Sequence, residues 1–409
     1  RCPDERGHLL AGARSTMSRH AIVGRGRLLP MSGATTGATG AIDGPWVLLL
    51  ERDRVLEVRA GTLQPGDPDT VEDVGTALVT PGLVDSHTHL IFAGDRSDEA
   101  AARTRGERYT GGGILRTVAA TVAASDEELV RETRLRLLAA HGRGTTTIEV
   151  KSGYGLEPRQ EHRLLKLIAD ASEALPMRVR RTHLGAHAIP AGSDAETQHR
   201  AIIESLPELA DAANHIDVFC EPGIFDLERT RAIAEAGAAV GLPLKLHADQ
   251  LERSGGALLG AELSALSVDH LEQITEDDAR VLGKSTTVAT LLPGPALMLG
   301  GGLPPARALV DAGATVAVAS DSNAGTFCEP TMPLSIGLAV VIGLTIDEAM
   351  WAATAGGAGA LGMDGEIGRL LPGAYADLVA WDTEHEGAFA QRLGGVRPLW
   401  TWFGGETDE

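Results

Sequence analysis

The sequence predicts an α/β protein that consists mainly of a (β/α)₈ TIM-like barrel, with a small β-sandwich domain built from both chain ends. Two observations support this prediction. From Leu83 onward, eight short apolar runs alternate with longer stretches of helical periodicity, which is the pattern of repeated βα units. Polar and titratable side chains follow most of these runs, and a barrel of this kind carries its active site at the C-terminal ends of its strands.

The two ends of the chain differ from the middle. Short β-like runs at residues 46–50 and 55–58 are separated by Gly-, Pro- and Asp-rich turns, and residues 368–382 predict a hairpin-like strand pair. We therefore expect a small β domain from residues 17–80 and 362–405, and a barrel over residues 81–361. Residues 1–16 are expected to be an extension ahead of the first domain.

The barrel prediction assigns each apolar run to a strand and each amphipathic stretch to a helix. The eight predicted strands are residues 83–89, 145–150, 179–184, 216–220, 242–247, 267–270, 287–291 and 315–320. The predicted helices are residues 127–140, 159–171, 196–212, 227–239, 256–265, 276–282 and 306–312, followed by an Ala- and Gly-rich helix at 348–361.

Composition narrows the class of protein. The chain has 409 residues, of which 43% are hydrophobic and 22% charged, as in an ordinary globular protein. The formal net charge of −20 argues against a nucleic acid or an acidic membrane as partner. Three scattered cysteines fit a reducing compartment, and no apolar run is long enough to span a membrane. We expect a cytoplasmic protein, in which an anionic ligand needs a local cation.

The first predicted strand contains two histidines, His87 and His89, two positions apart. Side chains at i and i+2 of a strand face the same way, so the two imidazoles are expected to project into one small volume. Two neutral imidazoles form half of a site for Zn²⁺ or Fe²⁺. A strand-histidine pair satisfied by ordinary hydrogen bonds is the competing interpretation, so the remaining ligands must come from elsewhere.

Other strand ends supply such groups, because all the strand ends of a barrel meet at one mouth. They are Glu149, Lys151, His183, His187, Glu221, His247, His270 and Asp321. A catalytic metal needs about three protein ligands and an open position for water. His247 and Asp321 are the expected partners of His87 and His89, and His270 is favoured as an acid/base beside the metal. Lys151 could form a carbamate between two metals, but an ion pair beside Glu149 is favoured, so one metal is expected.

Several motifs carry a family resemblance. The stretch 81–89, Pro-Gly-Leu-Val-Asp-Ser-His-Thr-His, resembles the first-strand signature of the amidohydrolase superfamily. More specific stretches resemble the imidazolonepropionase family, and the similarity runs from about Leu78 to Asp382. These stretches are residues 92–96, 151–156, 184–188, 244–250 and 320–326. The stretch 107–113 is shorter than the usual family segment.

The resemblance implies a reaction, a cofactor and a set of site residues. The implied reaction is the hydrolysis of 4-imidazolone-5-propanoate to N-formimidoyl-L-glutamate in histidine degradation, with one Zn²⁺ or Fe ion held by His87, His89, His247 and Asp321. Asp321 also takes a proton from the attacking water, His270 polarises the carbonyl or shuttles a proton, and Gln250 hydrogen-bonds the ring. The residues implied to bind substrate or product are Arg96, Tyr154, His187, Asn323, Gly325 and Thr326. A homodimer is also implied.

Two alternatives stay open at this stage. One is a cyclic amidine or nucleobase deaminase on the same scaffold, which uses similar metal ligands but has no need for a carboxylate anchor such as Arg96. The other is a metal-stabilised scaffold that lacks turnover. An open coordination position and the presence of His270 argue against the second alternative.

Overall fold

The computed structural model describes residues 19–106 and 113–407. The predicted extension at residues 1–16 and nearly all of the stretch 107–113 lie outside the described residues. No helix within the described ranges is both long enough and apolar enough to cross a membrane.

Seven strands precede the barrel and form parts of two sheets. They are β1 Arg19–Gly24, β2 Arg27–Leu28, β3 Ile42–Asp43, β4 Trp46–Glu51, β5 Arg54–Ala60, β6 Val71–Asp73 and β7 Leu78–Pro81. The first sheet has the order β5-β4-β1-β6. The apolar side chains of β4 are buried, and the indole of Trp46 donates to the carbonyl of Gly26 at 3.0 Å.

The barrel consists of eight parallel strands that hydrogen-bond in sequence order. They are β8 Leu83–Asp85, β9 Thr145–Lys151, β10 Arg178–Ala186, β11 His215–Cys220, β12 Leu244–Ala248, β13 Ser267–His270, β14 Val288–Leu291 and β15 Val316–Val318. The predicted fold class is thereby confirmed. The first strand was predicted to reach His89 and ends instead at Asp85, so both histidines lie just beyond it.

The helices pack around this barrel. They are α1 Ser97–Thr104, α2 Gly113–Ala123, α3 Asp126–His141, α4 Pro158–Ser172, α5 Ala195–Leu209, α6 Leu227–Ala239, α7 Gly256–Glu262, α8 Glu276–Leu282, α9 Pro293–Leu299, α10 Ala306–Asp311, α11 Met332–Val341, α12 Ile346–Trp351, α13 Gly357–Ala360 and α14 Gly387–Gln391. Their ends follow local chemistry: Ser125 caps α3, and Thr275 with Asp278 forms a capping box on α8. Helices α1, α2, α9, α11 and α14 were not predicted.

Three further strands lie after the barrel, namely β16 Leu378–Trp381, β17 Pro398–Phe403 and β18 Glu406–Thr407. They extend the second sheet, whose order is β18-β17-β16-β7-β2-β3, so strands from both chain ends share it. The predicted hairpin at 368–382 is wrong. Only β16 forms there, and it pairs with β7 and β17 because its buried residues Leu378 and Ala380 join the apolar core of the small β unit.

The seam between β8 and β15 closes the barrel through the segments that follow these two strands. His89 donates its backbone N–H to the carbonyl of Ser322 at 2.8 Å, and Asp321 donates its own to the carbonyl of His87 at 3.0 Å. Ser320 adds two hydrogen bonds to Asp85, at 2.9 and 2.6 Å. Closing the barrel therefore brings the two histidines that follow the first strand next to Asp321.

A continuous helical segment covers this seam. It comprises α12, a π-helical turn at Ala352–Gly356, and α13. Two of its glycines touch backbone: a Cβ on Gly356 would lie 2.2 Å from the carbonyl oxygen of Val316, and one on Gly357 would lie 2.7 Å from that of Val84. Glycine is therefore required where the helix meets the first and last strands.

We predict that Gly356→Ala destabilises the fold by about 1–3 kcal/mol, because the new methyl group overlaps a backbone carbonyl that cannot move aside. Gly359→Ala is the matched control on the same helix, since its Cβ would lie 3.4 Å from a methyl group of Val288, an ordinary contact. Thermal unfolding monitored by circular dichroism should show a lower Tm for the first variant and an unchanged or slightly higher Tm for the second. Equal Tm values for the two variants would contradict this account of the seam.

Candidate metal centre and substrate cavity

Three imidazoles converge beyond the C-terminal ends of the first and fifth barrel strands. The Nε2 atoms of His87, His89 and His247 lie 3.1–3.3 Å from one another, and all three side chains are buried. Nitrogens bound to one tetrahedral ion at about 2.0–2.1 Å stand roughly 3.3 Å apart. The observed triangle of nitrogens therefore has the size of a metal site.

Asp321 supplies a fourth group at the same point. Its Oδ1 lies 3.5 Å from Nε2 of His89 and 3.7 Å from Nε2 of His87. Its backbone is left-handed, with φ of 48°, which turns the carboxylate from the end of the eighth strand towards the imidazoles. Burial raises the pKa of Asp321 to about 7, against the lowering effect of His270. Three nitrogens and one hard oxygen make a donor set suited to Zn²⁺ or Fe²⁺.

Two carboxylates fix which nitrogen of these rings is available. Nδ1 of His87 lies 2.6 Å from Oδ2 of Asp269, and Nδ1 of His247 lies 3.1 Å from Oδ1 of Asp217. Because a carboxylate accepts the Nδ1 proton, the lone pair of each ring is on Nε2, towards the centre. Burial, followed by charged neighbours such as Lys151, lowers the pKa of His87 well below its usual value, and burial also lowers that of His247. Both rings are therefore neutral and can each offer the Nε2 lone pair to a metal ion.

The carboxylates of Asp217 and Asp269 both lie near the ammonium of one buried lysine, Lys151. Nζ of Lys151 lies 2.6 Å from Asp217, 2.7 Å from Glu149 and 4.0 Å from Asp269, and every one of these side chains is fully buried. A second buried lysine, Lys245, contacts Ser267 at 2.8 Å and stays 3.7 Å from Asp269. The ammonium of Lys151 is thus held in ion pairs, as the sequence interpretation favours over a carbamate.

The side chains expected to bind a carboxylate meet in one cavity. It is lined by His89, Arg96, Ile114, Tyr154, His187, Phe219, His247, Gln250, His270, Asp321, Asn323 and Thr326. Arg96 is buried, and its Nε and Nη2 donate to Glu99 at 3.0 and 2.7 Å, not to Asp95 or Asp98. Its guanidinium therefore already lies in the geometry that binds a carboxylate.

Tyr154 and His187 line the same cavity. The ring of His187 stacks on that of His89 with centroids 5.1 Å apart, and Tyr154 lies 5.5 Å from His187. Nδ1 of His187 donates to the carbonyl of Gly153 at 2.8 Å, and burial lowers the pKa of His187 to about 4. This neutral ring presents an acceptor nitrogen, Nε2.

Glu161 holds the loop that carries Gly153 and Tyr154. Its Oε1 accepts from the backbone N–H groups of Gly155 at 2.8 Å and Leu156 at 2.7 Å, and Ser152 donates to its Oε2. Glu161 is fully buried on α4 and contacts none of the three converging imidazoles. It organises the substrate cavity through the loop.

The segment after Asp321 forms a compact loop closed by Asn323. The Asn323 side chain accepts from the backbone N–H groups of Gly325 at 2.8 Å and Thr326 at 2.9 Å, and donates to the carbonyl of Asp321 at 2.7 Å. Gly325 packs on Arg96, because a Cβ there would lie 2.4 Å from its Nη1 atom. In this state Asn323 organises the loop, and contact with a ligand requires it to exchange one of these bonds.

Gln250 and His270 approach the centre from the ends of the fifth and sixth strands. The backbone N–H of Gln250 donates to Glu221 at 2.6 Å, so the strand-end carboxylate of Glu221 serves to hold this turn. One ring nitrogen of His270 lies within 4.8 Å of ring nitrogens of His87 and His247. His183, also a strand-end residue, lies 3.5 Å from Glu161 and outside the cavity lining.

The sequence analysis missed the carboxylates behind the imidazoles, Asp217 and Asp269, and the loop anchor Glu161. All three are buried. Asp217 and Asp269 each lie within an apolar strand run, and a charged residue inside such a run is the signal that could have identified them. Glu161 lies on an amphipathic helix among other charged residues, where the sequence carries no such signal.

Comparison with known proteins gives consistent matches. The model of the amidohydrolase family matches residues 78–407. An imidazolonepropionase from Salinispora arenicola is 46% identical over 368 residues, covering 87% of this chain and 92% of the relative. One from Rubrobacter xylanophilus is 47% identical over 336 residues, covering 80% of each. The structure of a zinc-bound adenosine deaminase from Xanthomonas campestris superposes with a TM-score of 0.72 at 17% identity, covering 95% of this chain and 92% of that one.

We predict that Asp217→Asn lowers the metal affinity of the chain about 10–100-fold, because the amide no longer fixes the Nδ1 proton of His247. Glu161→Gln is the matched control, since it neutralises another fully buried carboxylate that touches no converging imidazole. Metal retained after dialysis against a competing chelator, measured by elemental analysis, should fall only for Asp217→Asn. Equal retention by the two variants would mean that Asp217 does not tune the site.

Proposed function

The chain belongs to the amidohydrolase family and, within it, to the imidazolonepropionases, and from this premise we propose how its residues act. The enzyme hydrolyses the cyclic amide of 4-imidazolone-5-propanoate to N-formimidoyl-L-glutamate, a step of histidine degradation. Water adds to the ring carbonyl, the bond from the carbonyl carbon to the adjacent ring nitrogen breaks, and that nitrogen takes up a proton. A ring carbonyl, a breaking C–N bond and a carboxylate tail each need a partner in the cavity.

A divalent metal fits the donor set described above, and we propose one Zn²⁺ or Fe ion held by His87, His89, His247 and Asp321. When bound, such an ion lowers the pKa of a coordinated water and polarises a carbonyl. The support is the spacing of the three Nε2 atoms and the carboxylates on two Nδ1 atoms. The side chains of these four residues are buried, which limits their contact with bulk water.

Asp321 and His270 are proposed to move the protons. The carboxylate of Asp321 lies 3.5 Å from Nε2 of His89 and 3.7 Å from Nε2 of His87, so it is placed to take a proton from the attacking water. His270 gives a proton to the ring nitrogen as the C–N bond breaks. Burial alone would lower the pKa of His270, but the carboxylates of Glu272, Asp321 and Asp269 raise it above the usual value. Gln250 is proposed to hydrogen-bond the ring, since its amide lines the cavity.

Arg96 and Tyr154 are proposed to bind the propanoate, with Arg96 as the charged anchor. His187 is proposed to contact the ring instead, because its neutral imidazole offers the Nε2 lone pair to a ring N–H. Gly325 and Thr326 are proposed to bind the product through backbone and hydroxyl groups, with Asn323 holding their loop in place. These assignments place the substrate tail towards α1 and the ring towards the three imidazoles.

Further features of the protein follow from the same proposal. The net charge of −20 is consistent with a small-molecule anionic substrate bound at a local cation and with no nucleic-acid partner. We also propose a homodimer and a cytoplasmic location, as the resemblance and the few cysteines predict. Light scattering after size-exclusion chromatography tests the dimer.

The single observation that supports the carboxylated substrate is the buried Arg96 on the same cavity as the imidazole cluster. The decisive experiment is turnover of 4-imidazolone-5-propanoate by metal-reconstituted enzyme, compared with cytosine and guanine. We expect hydrolysis of the first compound alone. Deamination of either base at a comparable kcat/KM would instead favour the deaminase alternative.

We predict that Arg96→Ala raises KM for the propanoate substrate about 10–100-fold, because a charge-assisted, bidentate contact contributes about 1.5–3 kcal/mol. Arg116→Ala is the matched control, because Arg116 is an exposed arginine nearby that pairs with Asp98. Steady-state kinetics and metal analysis should show the KM change for Arg96→Ala alone, with metal content unchanged. An imidazolone that lacks the carboxylate should be insensitive to Arg96→Ala, and an unchanged KM for the carboxylated substrate would remove Arg96 from the proposed role.

A further inference from the structure

Glu272 is a buried acid next to the catalytic cavity that none of the proposed steps uses. Its side chain is only 4% exposed. Among the described residues, neither of its carboxylate oxygens has a partner at hydrogen-bond distance. A carboxylate removed from water without such partners is costly, so its position calls for a nearby group that interacts with the charge.

The backbone after the sixth strand directs Glu272 to that position. His270 and Leu271 are both left-handed, with φ of 85° and 72°, a conformation that costs energy for residues with side chains. Gln273 then closes the turn by donating its backbone N–H to the carbonyl of Asp249 at 2.9 Å. The turn folds the chain back, so that the side chain two residues after His270 lies beside the His270 ring.

The imidazole of His270 faces the carboxylate of Glu272. Nδ1 of His270 lies 3.5 Å from Oε1 of Glu272 and, like that oxygen, has no other partner within the described part of the chain. Catalytic hydrogen bonds are often long in a ligand-free enzyme and shorten when substrate binds. The pairing therefore resembles those of His87 with Asp269 and His247 with Asp217, in which a carboxylate accepts the Nδ1 proton.

We propose that Glu272 is a positioning residue for His270: its carboxylate accepts the Nδ1 proton and so presents Nε2 to the reacting ring. This inference rests on the proposed function of His270. In the reaction His270 starts as the imidazolium: Nε2 gives its proton to the ring nitrogen as the C–N bond breaks, which leaves the neutral ring with Nδ1–H on Glu272. The proton that Asp321 takes from the attacking water then restores the imidazolium. Glu272 itself neither gains nor loses a proton in this step, and it touches no substrate atom.

The first test is Glu272→Gln in the metal-loaded enzyme. We expect kcat to fall about 10–100-fold, the range typical of residues that orient another group, with KM within threefold of wild type and metal content unchanged. Glu252→Gln is the matched control, because it removes the charge of an exposed carboxylate on the neighbouring cavity that Glu272 also lines. Its kcat should stay within twofold of wild type.

Three results would overturn the proposal. One is a kcat of Glu272→Gln within twofold of wild type. Another is a fall in kcat that is matched by a proportional loss of bound metal and accompanied by a lower Tm, since such a result indicates that Glu272 has a structural role. The third is the same loss of kcat in both glutamine variants. Turnover by the wild-type enzyme tests the proposed function separately. If the wild type shows no turnover, the nitrogen chemical shifts described next still test the pairing of Glu272 with His270.

The second test reads the pairing without any reaction. In ¹⁵N-histidine-labelled protein, the ring nitrogen shifts of His270, assigned by comparison with a His270→Asn sample, report which nitrogen carries the proton in the neutral ring. We expect the proton on Nδ1 in wild type and a partial shift of the population to Nε2 in Glu272→Ala. A neutral His270 with its proton on Nε2 in wild type would contradict the proposal.

Discussion

The ammonium of Lys151 is the group on which the arrangement of the metal centre depends. It lies fully buried among Glu149, Asp217 and Asp269, so its charge balances part of the negative charge behind the imidazoles. Burial alone would lower the pKa of Lys151, but Asp217, Glu149 and Asp269 raise it above its usual value, and the lysine stays charged. Without that charge, the barrel interior would contain three carboxylates facing one another, and removing one partner of a buried ion pair commonly costs about 3–5 kcal/mol.

A buried charge is also paired within the protein on the substrate side of the cavity. Arg96 has to be buried to strengthen its interaction with an anion, and in a ligand-free protein it needs a substitute partner. Among the described residues Glu99 is one such partner, because it accepts two hydrogen bonds from the guanidinium. In the proposed binding mode, a substrate carboxylate competes with Glu99 for Arg96, so part of its binding energy is offset by the ion pair that it disturbs. The ion pair and the neighbouring loop also fix the orientation of the guanidinium. Gly325 packs directly on it, which is possible only because this residue has no side chain.

The sequence predicted the fold well because the barrel repeats one simple pattern. Each apolar run that was assigned to a strand became one, within a few residues, since burial on both faces demands continuous apolar side chains. The hairpin at 368–382 failed because β16 pairs with strands far away in the chain, a choice that no local pattern encodes. Helix α1 was missed because it buries none of its residues, and α2 because two of its three buried residues are threonines, so neither shows an ordinary apolar stripe.

The candidate site was predicted unevenly for a related reason. Residues at strand ends were found because a barrel brings all such ends together, and His87, His89, His247 and Asp321 do lie within a few ångströms of one another. The carboxylates beside the histidine rings were not found, since the sequence does not place Asp217 next to His247 or Glu272 next to His270. Burial of a charge, which decides whether an acid acts on its neighbours or on water, is a property of the folded chain.

At the mouth of the barrel, several residues adopt backbone conformations that their residue types do not favour. Asp249, His270, Leu271 and Asp321 all adopt left-handed conformations, although none is glycine. Such residues cost about 1–3 kcal/mol each and persist only where the surrounding structure holds them. All four follow or end the fifth, sixth and eighth strands, whose hydrogen-bonded frame is rigid. The turns they make aim His270 and Asp321 at the same cavity and place Glu272 beside His270. The stability of the barrel thus offsets the cost of these strained turns. Glycine at the same positions would relieve the strain, but it would also remove side chains such as those of His270 and Asp321 that the site uses.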